Sequence, residues 1–240
     1  MSLDSIISIG FYLSSLGFLI ATVITLMARS KVGASGLGSV LSYLFIGTGT
    51  FFVITIFQGL GGDFFGISDE SMDIWWHIMF YLAMFSYYFG FKALTKLGSD
   101  EADLMGSKAK SWGIFSIIVL VVVFLIPGMA DSVVEMYSTS ILAGLGLHHF
   151  LAFALAGTVG SYLMSAKKNL GQIGQAIANP MIIAVLALSI QHFWELLFES
   201  WKIVVVTSEV GEGIEKIFLI TAATCVTVAA LRLKSLAKAS

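Results

Sequence analysis

The chain has 240 residues, of which 58% are hydrophobic and only 12% charged. A soluble domain carries roughly twice that share of charge, so the apolar surplus requires a solvent other than water. The single cysteine, Cys225, excludes internal disulfides, a cysteine-based metal site and an iron–sulfur cluster, while the net charge of -2 matters less than its distribution.

A helix needs about 20 apolar residues to cross the hydrocarbon core. Seven stretches meet or approach this: Ile6–Met27, Leu37–Leu60, Ile74–Leu94, Trp112–Ala130, Ser140–Met164, Pro180–Phe198 and Gly213–Leu231. They are continuously apolar rather than alternating, which disfavours a transmembrane barrel. The first lacks the basic flank and small-residue cleavage site of a signal peptide, so it is expected as a retained helix. The chain holds 24 glycines, a content ordinary for helices packed in lipid, and only two prolines, which argues against linkers. The expected fold is therefore all-α, an integral membrane bundle of about seven transmembrane helices forming one domain over residues 1–240.

Charge sets the expected orientation. With alternating crossings, 11 of the 13 basic residues fall on the side opposite the N-terminus, among them Arg29, Lys92, Lys108, Lys167 and Arg232. The N-terminal side takes 12 of the 15 acidic residues and only Lys202 and Lys216. Lysine and arginine are retained in the cytoplasm, which predicts an outside N-terminus, a cytoplasmic C-terminus and a multi-pass protein of the plasma membrane.

Polar residues inside spans are costly and call for a function. All four histidines, His77, His148, His149 and His192, lie within predicted spans and in their outer halves. At 1.5 Å per residue, His77, His149 and His192 sit about 6, 13 and 10 Å below the outer helix ends. Three helices thus bring imidazoles to one level. His192, Glu195 and Glu199 share one helix face at i, i+3 and i+7. Gln191, Gln58, Glu212, Glu215 and Lys216 lie nearby in depth, and Asp131 and Glu135 follow the fourth span.

Each residue also has a plainer role. A membrane histidine can serve only as interhelical glue. His77 follows Trp75 and Trp76, an interfacial aromatic pair, so it is expected to sit shallowest and to matter less than His192. Glu195 can pair with Lys216, and Glu212 and Glu215 can simply favour a helix N-terminus. The coincidence on three helices raises a cofactor or metal above these.

Two chemistries fit. Histidines on facing helices ligate b-type haem axially, and His149 with His192 is the most plausible pair. His149 shares a face with Gly146, Ala152, Ala156 and Gly160, small enough for a macrocycle or for close helix packing. Alternatively, two or three imidazoles with Glu195 suit zinc, copper or iron, His192 being the central ligand, His148 and His77 further candidates, and Gln191, Glu199 and Glu215 supporting them.

The leading expectation is a redox subunit carrying haem b near the outer face, exchanging electrons with quinone or an extracytoplasmic redox partner, and associated with other membrane subunits. A cation transporter and a metal-dependent enzyme at the outer leaflet are the alternatives. A retinal site is excluded because Lys216 lies at the outer edge of the last span, not mid-membrane. No phosphate-binding loop, nucleophile elbow or nucleic-acid-binding feature is present.

Overall fold

The computed structural model describes residues 3–32, 36–65, 69–97, 101–125 and 140–237. All regular structure among them is helical. The long helices are α1 (Leu3–Val32), α2 (Gly36–Phe65), α3 (Asp69–Thr95), α4 (Glu101–Leu125), α5 (Leu147–Lys167), α6 (Gln172–Glu195) and α7 (Ser208–Leu236), with one extra turn at Ile141–Gly144.

Six of these close a ring. α1 packs on α2, α2 on α3, α3 on α5, α5 on α6, α6 on α7, and α7 returns to α1. α4 stands outside it, against α2 and α3. Its outward face (Ile114, Phe115, Ile117, Ile118, Val121 and Val122) is exposed. That face is suited to lipid rather than water.

Among the described residues, five helical stretches are long and apolar enough to cross a membrane: Ile9–Val32, Gly36–Leu60, Leu147–Lys167, Gly174–Ser200 and Ser208–Ser235. The other two of the seven expected spans, in α3 and α4, do not meet that measure within the described residues. α3 falls short because Trp75, Trp76, His77, Tyr81, Tyr87 and Tyr88 dilute its aliphatic content. The apolar run of α4 continues into residues 126–139, outside the described residues, and Asp131 and Glu135 lie there too.

Small residues bring the ring helices together, as expected where no hydrophobic effect drives association. A Cβ on Gly17 of α1 would lie 3.0 Å from Ala223 Cβ of α7, and one on Gly47 of α2 only 2.6 Å from Tyr87 Cε1 of α3. Hydroxyls reach across the same seams: Thr227 Oγ1 donates to Gly17 O at 2.9 Å, and Ser189 Oγ to Phe153 O at 3.1 Å.

Three helix boundaries differ from expectation. α4 begins at Glu101, so part of the predicted cytoplasmic loop is helical. The fifth span breaks at Gly146, whose φ of 65° is left-handed. A Cβ there would meet Ser200 Oγ at 2.4 Å, so both conformation and space demand glycine. α6 starts at Gln172, placing Pro180 inside the helix rather than at its head. Proline removes the N–H that would bond Ala176 O, four residues back. The Arg232 guanidinium of α7 donates to that carbonyl instead.

Candidate metal centre

The start of α3, the start of α5 and the end of α6 meet at one end of the ring. There His77, His149, His192 and Glu195 each offer a ligand atom, all within 4.8 Å of one another. Their exposures are 3%, 3%, 0% and 6%, so the set is cut off from bulk solvent. A tetrahedral site with bonds of about 2.0–2.1 Å holds its donors ~3.3 Å apart. A modest contraction of side chains therefore suffices to close the set on an ion.

Glu195 organises the cluster. Its Oε2 lies 2.5 Å from His192 Nδ1 and 3.1 Å from His149 Nδ1, and its Oε1 accepts from Gln191 Nε2 at 2.9 Å. Glu199 Oε2 stands 3.4 Å from the other nitrogen of His149. A π-helical turn, Leu196–Ser200, follows Glu195 directly and carries Glu199. Such bulges recur at functional sites because they re-aim side chains without ending the helix.

His77 is the principal correction. Its ring centroid lies 4.6, 4.9 and 5.1 Å from those of His148, His149 and His192, so it stands at the middle of the cluster. Trp75 and Trp76 are each only 3% exposed and do not form an interfacial belt. Trp75 packs on Phe57 and Trp76 on Phe51, both from α2. The head of α3 is thus inside the ring, which drives His77 inward.

Asp73, one of the 12 acidic residues on the N-terminal side, supports this histidine. Its carboxylate is 3.2 Å from His77 Nδ1 and 3.2 Å from His148 Nε2, and its backbone carbonyl is 2.8 Å from His77 Nδ1. A donor at Nδ1 fixes the tautomer and turns the Nε2 lone pair towards an ion. The signal was legible as Asp73 and His77 at i, i+4, one turn apart on α3. His148 is held on the Asp73 side of His77, and Asp73, His77 and His148 form a second candidate ligand group. The anticipated Glu195–Lys216 pair is not formed; Lys216 Nζ lies 3.5 Å from Glu215 Oε2.

Two buried nitrogens, His77 Nε2 and His192 Nε2, have no hydrogen-bond partner among the described residues. Buried polar atoms are almost always satisfied, so orphaned imidazole lone pairs in a four-donor cluster fit a metal ion. A macrocycle fits less well. Glu195 Oε2 fills the space between His149 and His192, and Phe80 packs against the His192 ring with centroids 4.2 Å apart. The small face of α5 is occupied by α6: a Cβ on Gly160 would meet Leu186 at 3.3 Å.

A cavity of about 350 Å³ opens beside the cluster. His149 and Glu195 form part of its wall, with Gln58, Trp76, Glu199 and Glu212. Below the cluster the interior is filled: Phe51, Met79, Phe80, Met84 and Tyr87 are fully buried.

Comparison with known proteins adds no family assignment, since no protein-family model, no curated protein and no solved structure matches the chain.

Proposed function

We propose that this chain is a multi-pass membrane metalloprotein that holds one transition-metal ion on His77, His149, His192 and Glu195. The ion serves catalysis or redox chemistry on a small species entering from the outer surface. The observation that carries this is the buried His₃Glu set with two unsatisfied imidazole nitrogens. Zinc, copper and iron all accept such a mixed nitrogen and oxygen set.

The bundle crosses the membrane seven times in this reading. Met72 and Asp73 near the start of α3 and His149 near the start of α5 line one cavity, so the chain leaves that end through α3 and must return through α4. The same end holds Phe11, Gln58, Glu195 and Glu212, as alternating crossings require. Lysine and arginine segregation then puts this end outside, the C-terminus in the cytoplasm and the protein in the plasma membrane.

Two expected functions lose weight on specific grounds. Haem b between His149 and His192 would require displacing Glu195 from both imidazoles. Transport is less favoured, because Phe80, Phe51 and Tyr87 form a run of contacting aromatic rings beside the cluster. Exchange with quinone or an external redox partner remains compatible with a copper or iron centre.

The test is to purify the protein in detergent, record its visible spectrum and measure bound metals. One equivalent of zinc, copper or iron without a Soret band is expected, lost in His192→Ala. A stoichiometric Soret band, or an His192→Ala protein that is folded and fully loaded, overturns the proposal.

A further inference from the structure

The cavity beside the cluster has a chemistry of its own. Two residues of its wall, Gln191 of α6 and Glu215 of α7, each carry a buried acceptor, Oε1 in both, with no hydrogen-bond partner among the described residues. Gln191 is 3% and Glu215 5% exposed. An unsatisfied buried acceptor is costly, so both oxygens call for a donor. The wall also carries the carboxylates of Asp73, Glu195, Glu199, Glu212 and Glu215, against the one ammonium of Lys216. The missing donor is therefore expected to be a cation.

The wall specifies the kind of cation. Lys216 Nζ sits 3.9 Å over the Phe11 ring and 3.5 Å from Glu215 Oε2. The cavity thus already solvates one ammonium, with an aromatic face on one side and a carboxylate on the other. Trp76 provides a second aromatic wall. At about 350 Å³ the space exceeds a bare ion and equals roughly ten waters at ~30 Å³ each. Aromatic faces favour an organic cation over a hydrated metal ion, whose water shell they cannot replace.

We propose that this cavity binds a small primary ammonium, on Gln191 Oε1 and the Glu215 carboxylate, as the substrate class presented to the metal centre. Gln191 links the two sites, since its amide nitrogen donates to the Glu195 carboxylate at 2.9 Å and the residue lines the cavity. The role as substrate rests on the metal-centre reading; the binding itself does not.

The experiment titrates the purified protein with methylammonium at constant ionic strength, following intrinsic tryptophan fluorescence with and without bound metal. Sodium and tetramethylammonium serve as controls, the second being a cation with no N–H. A saturable response to methylammonium alone is expected. Glu215→Gln should weaken it at least tenfold, while Lys216→Met, which removes the internal competitor, should strengthen it. Equal responses to tetramethylammonium or sodium, an unchanged Glu215→Gln, or a response only to divalent metal ions overturns the proposal. Methylammonium binding by a protein that retains no transition metal upholds the cavity and sinks the metal-centre reading instead.

Discussion

Replacing His77 by alanine is the sharpest test of the cluster, because sequence and structure rank this residue in opposite ways. By depth alone it is the shallowest histidine, beside two tryptophans. In the fold its ring lies within 5.1 Å of three other imidazoles, and its Nε2 is buried with no partner among the described residues. Structural four-donor zinc sites are worth about 10–16 kcal/mol, or about 2.5–4 kcal/mol per donor if shared evenly. At about 1.4 kcal/mol per tenfold, His77→Ala should weaken metal binding by about two to three powers of ten. His148→Ala acts through Asp73 and should cost no more than about tenfold. Competition against a chelator, with metal counted per folded protein after size exclusion, reads both. Added imidazole should partly restore binding to His77→Ala by occupying the vacated space. A His77→Ala protein with wild-type affinity, or one no weaker than His148→Ala, refutes the assignment of His77 as a ligand.

Asp73→Asn removes the carboxylate from His77 Nδ1 but leaves the backbone carbonyl there, so metal affinity should drop by about tenfold, the low end for a supporting group, in the same chelator assay. Gly47→Ala puts a Cβ 2.6 Å from the Tyr87 ring and should lower stability by about 1–3 kcal/mol, read as a shift in thermal unfolding in detergent. Arg232→Met strands the Ala176 carbonyl only while Pro180 is present, so its destabilisation should shrink in a Pro180→Ala background, by about 1 kcal/mol in a double-mutant cycle. A reporter active only in the cytoplasm should give signal when fused after Ser240 and none when inserted between Asp63 and Asp73.

Depth was legible in the sequence and direction around the helix was not. Counting residues from predicted helix ends placed His77, His149 and His192 near one level, and that level is where the cluster forms. Periodicity also put His192 and Glu195 on one face, which the shared carboxylate contact bears out. Which way a membrane helix turns depends on its neighbours, and a uniformly apolar helix carries almost no pattern to reveal it. α3 shows the consequence. Trp75 and Trp76 resemble an interfacial pair, yet they pack against α2 and carry His77 inward with them. The same gap hid the exterior position of α4 and the hydrogen bond from Arg232 to the carbonyl freed by Pro180, because both depend on which helices are adjacent.

The placement of the cluster follows from what an apolar bundle can tolerate. A carboxylate as deeply buried as Glu195 is costly unless several donors or a metal surround it. Here Gln191, His149 and His192 all approach it within 3.1 Å. Three of those four residues come from α6, within a single turn and its continuation, so that helix arrives with the carboxylate already partnered by Gln191 and His192. α5 and α3 then complete the set by packing, each with one histidine. The order matters energetically, because no helix has to carry an unpartnered charge across the hydrocarbon core before the others assemble. It also fits a cluster with an acidic cavity on one side and aromatic packing on the other. The carboxylates of Glu199, Glu212 and Asp73 sit near helix ends where solvent is close, whereas Phe80 and Phe51 seal the deeper interior. The cavity that touches His149 and Glu195 is lined by these same carboxylates.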